Sequence, residues 1–347
     1  MAEVTKEQAR ELHDRFYVLD GHFDLLMDVE IQRGYGKTKM IETEYLPRFQ
    51  QGGVHSIVAA VFVEDAFVPE MSMRKALNQI SALHAEAAES PEHIVIAKNL
   101  EDIHRARAEQ KVSFILSLEG AEPLHNDLSL LRIYYELGVR MMGLVWSRRN
   151  FVGDGSFFAP VREGKKGGIT DFGVRLIEEA EKLGIVIDVS HLNDEGFWDV
   201  MEISEKPVIA SHSNSRALVP TMRNLTDDQI KAIALKDGLI GLNAFSMFTA
   251  STSAEATIER LVDHVDHMRK LVGAGYIGLG LDLCDDLTKY LPLDRIAKTK
   301  EMPFDVVKGH VSLPEITREL MKRGYKDEEI EGILGGNYLR VYQEVWK

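Results

Sequence analysis

Eight short apolar runs, most followed by a stretch of helical spacing, limit this chain more than any other feature. The first ends at Val18 and Leu19; the others are VHSIVAAVFV at 54–63, VSFILSL at 112–118, VRMMGLVW at 139–146, IVIDVSH at 185–191, VIASHS at 208–213, LIGLNAF at 239–245 and YIGLGLD at 276–282. Most lack strict alternation, which predicts strands buried on both faces, as in a parallel sheet covered by helices. Helical spacing appears at 3–17, 71–89, 127–137, 171–183, near 194–205, near 227–237 and about 255–272, with a helical tail from 313. The 171–183 helix has an aspartate at its start and Gly184 as a C-cap. One helix per strand predicts an α/β chain closed into a (β/α)₈ TIM barrel. A doubly wound sheet would want a glycine-rich nucleotide loop after the first strand, and none is present. No linker divides the 347 residues, so one barrel domain over 1–347, with extra helices at both termini, is expected.

Charge and cysteine content narrow the function. The formal charge of −14 argues against nucleic acid and anionic membranes as partners. A single cysteine, Cys284, makes no internal disulfide. The charged N-terminus MAEVTKEQARELHDRF lacks the apolar run of a signal peptide, and no apolar stretch is long enough to span a bilayer. A cytoplasmic protein is the expectation.

Polar residues recur where the apolar runs end. In VLDGHFD, Asp20 and Gly21 are read as turning the chain outward. His22 and Asp24 then lie two positions apart, so in extended backbone they face one point. An imidazole nitrogen and a carboxylate oxygen together suit zinc. Glu119 follows the third run, His191 ends the fifth, His212 lies in the sixth and Asp282 ends the eighth. In a barrel these positions share the rim where barrel active sites sit. Three histidines and two carboxylates exceed the needs of one four-coordinate zinc and suit two metals, with Glu119 able to bridge them. A water activated by the metals would be the nucleophile, and Asp282 a natural general base.

Other polar residues read differently. Asp188, inside the run that ends at His191, reads as a buried hydrogen-bonding partner rather than a ligand. His264 and His267, with Asp263 and Asp266, could chelate at helical spacing but read rather as a solvated helix face. Cys284 reads as a small buried filler, His55 as a structural or solvated histidine, and LVGAG at 271–275 as a helix end.

At this point the chain resembles the zinc dipeptidases of the renal, or membrane, dipeptidase family within the amidohydrolase superfamily. The resemblance rests on DGHFDL at 20–25, SLEGA at 117–121, GVR at 138–140, LGIVIDVSH at 183–191, SHSNSRAL at 211–218, RNLTDDQ at 223–229, DHVDHMRKLVGAGYIGLGLD at 263–282 and GGNYLRV at 335–341. It implies a (β/α)₈ barrel with two zinc ions held by His22, Asp24, Glu119, His191 and His212, the glutamate bridging. It further implies Asp282 as the catalytic aspartate and Arg223 as the grip on the substrate's C-terminal carboxylate, a job that suits a planar guanidinium. The implied activity is hydrolysis of dipeptides, often with a D-residue on the C-terminal side, by a homodimer.

One departure stands out. The family's histidine at the end of the fourth strand is replaced by Trp146. Indole offers one N–H and cannot titrate or bind metal as imidazole does. Trp146 could donate through Nε1, or Arg148, Arg149 or Asn150 could supply the missing donor. Two other functions stay open: hydrolysis of a related amide or lactone, such as an N-acyl amino acid, and a catalytically impaired metal-binding barrel with a binding role. Manganese, cobalt or iron could also occupy an N/O site. Loops near 30–50, 147–168 and 284–312 are expected to set side-chain preference.

Overall fold

A computed structural model describes residues 4–157, 167–290 and 302–347. The parts of the expected specificity loops at 158–166 and 291–301 lie outside the described residues. Among the described residues nine parallel strands form: β1 (Leu19–Phe23), β2 (Ser56–Phe62), β3 (Ile94–Ile96), β4 (Val112–Glu119), β5 (Val139–Gly143), β6 (Val186–Asp188), β7 (Ile209–Ala210), β8 (Leu239–Leu242) and β9 (Ile277–Leu279). The sheet runs β2-β1-β9-β8-β7-β6-β5-β4-β3, and an added β2–β4 pairing closes it into an eight-stranded barrel. The eight ring strands are those of the eight apolar runs. β3 stands outside the ring, paired with the first half of β4 while β5 takes the second half. Three residues are too few to show a period, which is why it is not legible in the sequence.

The barrel interior explains the closure. A buried apolar cluster takes Leu19, Val58, Ile115, Met141, Val186, Ile209 and Leu239, one from each of seven ring strands. The eighth, β9, offers Gly278, where an added Cβ would lie 2.6 Å from Tyr338 Cε2. Tyr338 belongs to the C-terminal helix Asn337–Val345, which with Tyr342 completes this cluster. The tail therefore supplies core to the barrel. A larger cluster, including Ile57, Ala59, Phe114, Leu116, Leu118 and Ile187, packs the strands against the helices.

Local chemistry sets the helix ends. Asp171–Leu183 is capped by Thr170, whose hydroxyl accepts from Gly173 N–H, not by the aspartate; Gly184 ends it at φ +83°. The stretch near 30–50, read as a polar loop, is largely helical: Leu25–Gly34, Ile41–Tyr45 and Leu46–Gln51. Asp20 does not turn the chain outward either. It is fully buried inside β1. The pairing Asp20↔Ile57 then Phe23↔Ala59 leaves one extra residue in β1, a bulge of the kind that re-aims side chains beside active sites.

Candidate metal centre and active site

Five side chains from four strand ends converge at the C-terminal mouth. His22 lies in β1 at its bulge, and Asp24, already beyond the strand, opens the helix Leu25–Gly34. Glu119 is the last residue of β4, His191 follows β6 and His212 follows β7. All five are buried. Glu119 Oε1 lies 3.7 Å from His22 Nε2, 3.1 Å from His191 Nε2 and 3.8 Å from His212 Nε2. His22 Nε2 is 3.6 Å from Asp24 Oδ2. Ligand atoms of His22, Glu119 and His212 lie within 4.8 Å of one another, as do those of His22, Asp24 and Asp282. These two candidate clusters share His22 and are consistent with a binuclear zinc site.

The donor set fits a cation better than a proton. Burial lowers the basicity of His22, but Glu119 and Asp24 outweigh it and push its pKa up to about 10. Yet neither ring nitrogen of His22, nor Oδ1 of Asp24, has a hydrogen-bond partner. A buried imidazolium would need two acceptors. Positive charge is called for where no hydrogen bond uses it, which is what a metal ion meets. Burial holds His191 and His212 well below the usual imidazole range, in the neutral form that binds metals. Burial, with Asp24 adding, pushes Glu119 well up.

Hydrogen bonds fix the imidazoles. The Ser211 hydroxyl donates to Asp188, so it accepts from Nδ1–H of His212, 2.6 Å away. That leaves a lone pair on His212 Nε2, aimed into the cluster. His191 Nδ1 lies 2.8 Å from the Ser147 hydroxyl, and the two Nε2 atoms meet at 2.8 Å. Asp188 is thus the supporting partner read from the sequence. Ser147 and Ser211 went unread, because a serine at a strand end carries no signal of its own.

Asp282 stands beside this cluster at φ +54°. Its N–H donates to His22 O at 3.1 Å, and Asn243 Nδ2 donates to its Oδ2 at 2.8 Å. Burial raises its pKa to about 6. Asn243 was missed in the sequence, although it follows the seventh apolar strand as the other site residues follow theirs. Arg223 is buried, donates to His212 O at 3.2 Å and lies over the Phe248 ring at 5.4 Å. Its Nε has no partner.

The remaining sequence candidates separate. The Trp146 ring stacks at 5.6 Å on His191 and at 5.3 Å from Phe62, with the Arg148 guanidinium 5.2 Å away. Arg148 is ion-paired with Glu122 and Asp65, and Arg149 with Asp154. Asn150 does not join the cluster: its amide donates to Leu144 O and accepts from Val152 N–H and Gly153 N–H, so it builds the turn. His264 bonds Ser215 N–H and Thr249 O, and His267 pairs with Asp227. Asp263 and Asp266 pair with Arg323, so that helix chelates nothing in this arrangement. His55 accepts from Val18 N–H at the opposite end of the barrel. The Cys284 thiol donates to Asp282 O at 3.3 Å, and burial pushes its pKa well up.

A family model described as membrane dipeptidase, peptidase family M19, matches residues 6–347. Human dipeptidase 3 is 30% identical over 353 residues, spanning 98% of this chain and 67% of that protein. The dipeptidase tcpJ of Claviceps purpurea is 27% identical, over 99% of this chain and 77% of that protein. Among solved structures, a metallo peptidase from Rhodobacter sphaeroides, liganded with a phosphinate mimic of the dipeptide L-Ala-D-Ala, superposes with a TM-score of 0.83 at 25% identity. The match covers 95% of this chain and 99% of that one.

Proposed function

Because the chain belongs to the membrane dipeptidase family, metal-dependent hydrolases of dipeptide-like substrates, we propose that it cleaves the single peptide bond of dipeptides, accepting a D-residue on the C-terminal side. His22, Asp24, Glu119, His191 and His212 would hold two zinc ions. Zinc bound there polarises the scissile carbonyl and makes water acidic enough to ionise near neutral pH. Asp282 accepts the proton of the attacking water and passes it to the leaving amine. Its raised pKa suits both halves of that shuttle. Arg223 takes the substrate carboxylate on its unpartnered Nε edge, which fixes chain length at one residue beyond the scissile bond. Trp146, against His191, forms the wall on the side where the family carries a histidine.

The observation that carries this reading is the meeting of three imidazole Nε2 atoms within 3.8 Å of one glutamate oxygen, around a buried imidazole with no hydrogen-bond partner. The test is zinc analysis with turnover of L-Ala-D-Ala against N-acetyl amino acids. Two zinc ions per chain and dipeptide turnover are expected. Trp146 favours one second reading, an N-acyl amino acid as substrate, which would keep the carboxylate for Arg223; turnover of the N-acyl compounds alone would select it. Zinc binding with no turnover of either would leave a binding barrel.

No helix among the described residues is long and apolar enough to cross a membrane. We infer cytoplasmic residence, supported by the single cysteine, and a homodimer, supported by the family resemblance; fractionation and light scattering test them.

A further inference from the structure

Asp20 is fully buried and takes no direct part in the proposed hydrolysis. Its Oδ1 accepts from His22 N–H at 3.3 Å and from Leu281 N–H at 2.9 Å, and its Oδ2 lies 2.8 Å from His310 Nε2. Asp188 repeats the construction across the barrel. Its Oδ1 accepts from Ser190 N–H and Ser211 N–H, both at 2.9 Å, and its Oδ2 takes the Ser211 hydroxyl. The registers correspond. Asp20 is the residue of β1 that pairs with β9, opposite Leu279, and Asp188 is the residue of β6 that pairs with β7, opposite Ile209. In each case the carboxylate bonds the N–H two residues further along its own chain and the N–H two residues past the paired residue of the neighbour. Where the ladder stops, a side chain continues it.

The two clamps also lead into the same kind of backbone. Leu281 precedes Asp282, and Ser190 precedes His191; these two site residues have φ of +54° and +68°. Side chains other than glycine rarely adopt that backbone unless the surroundings over-determine it. We propose that Asp20 and Asp188 are a matched pair of positioning residues, carboxylate clamps that join neighbouring strand ends and fix the left-handed turns presenting Asp282 and His191. The proposal rests on the proton-transfer role of Asp282 and the ligand role of His191. It makes charge secondary: what the site uses is an acceptor oxygen aimed at two N–H groups.

The test compares Asp20→Ala, Asp188→Ala, Asp20→Asn and Asp188→Asn in the full chain, by zinc affinity from chelator competition and by steady-state kinetics at saturating zinc. The alanine variants are expected to weaken zinc binding roughly 10- to 100-fold. Their kcat should fall about 100-fold with KM within threefold, the mark of misplaced groups rather than lost substrate contacts. The asparagine variants, which keep an acceptor oxygen, should recover both to within tenfold. Folded alanine variants with wild-type zinc affinity and kcat would overturn the clamp. If an alanine variant does not fold, the asparagine pair decides: retention within tenfold supports the clamp, and a folded asparagine variant down 100-fold overturns it. Absence of zinc from the unsubstituted protein would remove the ligand reading and the clamp together; wild-type behaviour of folded alanine variants removes the clamp alone.

Discussion

Asp282 works from a backbone conformation that few residues adopt, and its neighbours leave it little choice. Asn243 holds one carboxylate oxygen and His22 O holds its N–H, while the Cys284 thiol reaches the other oxygen at 3.7 Å; a carboxylate oxygen of Asp282 lies within 4.8 Å of ligand atoms of His22 and Asp24. Asp282→Asn keeps the shape and removes the proposed proton acceptor. It should lower kcat by roughly 10²–10⁴-fold while zinc content per chain, read by atomic absorption, stays unchanged. Arg223 makes a different prediction, because the role proposed for it is recognition. Arg223→Ala should cut kcat/KM for a dipeptide roughly 100-fold and erase the preference for a free carboxylate over a C-terminal amide, measured on L-Ala-D-Ala and its amide. A loss equal for both substrates would contradict that role. At this scale the sequence was informative where residue type and strand-end position coincided, as for His22, Glu119, His191, His212 and Asp282. It was silent for His310, which reaches Asp20 from 290 positions away and follows no apolar run. At Asn150 residue type alone could not show that the side chain also builds its own turn.

The strands and helices were legible to the extent that burial shapes sequence. A strand buried on both faces reads as an apolar run, so the eight ring strands could be counted. Their lengths could not, because the runs continue past the last ladder bond: β5 stops at Gly143, three residues before Trp146. The bulge in β1 is invisible for the same reason, being a matter of pairing and not of composition. At the base of the barrel, His55 ties the start of β2 to Val18 by accepting its N–H, and burial lowers its pKa to about 4. A histidine whose folded pKa is depressed binds fewer protons folded than unfolded between about 4 and 6.5, so its contribution is present above 6.5 and is lost as pH falls toward 4. His55→Asn keeps an acceptor for Val18 and removes the titration. The stability advantage of the wild type over this variant, from urea unfolding, should therefore shrink by roughly 2–3 kcal/mol between pH 7 and pH 4.5. A constant difference would mean that the ring is not held neutral. At the same end, Gly278→Ala would drive a methyl to 2.6 Å from the buried Tyr338 ring. An overpacked core site typically costs about 1–3 kcal/mol, and the urea midpoint should fall with an unchanged slope.

For the molecule as a whole, closure and metal act on the same structure. The ring has no free edge, and its last core residues come from the C-terminal helix. We therefore expect barrel and tail to melt as one unit, in a single calorimetric transition. The metal enters because the mouth of this unit gathers Asp24, Glu119 and Asp282 out of water, with His22 as their nearest cation and no hydrogen bond to make it one. Buried carboxylates that repel one another favour unfolding, whereas ions that bind only the folded chain oppose it by mass action. At a thousandfold excess over its dissociation constant, each zinc adds about 4 kcal/mol, so two add about 8. The unfolding entropy of a chain this long gives roughly 1.4 °C per kcal/mol. Chelation should thus lower the melting temperature by about 10 °C while the far-ultraviolet circular dichroism at 20 °C stays that of a barrel, because the strands are held by their interior and not by the ions. Returning zinc should restore both temperature and turnover. A melting temperature indifferent to chelation would mean that the carboxylates at the mouth hold no metal, and a spectrum that collapses on chelation would mean that the barrel depends on the ions for its fold.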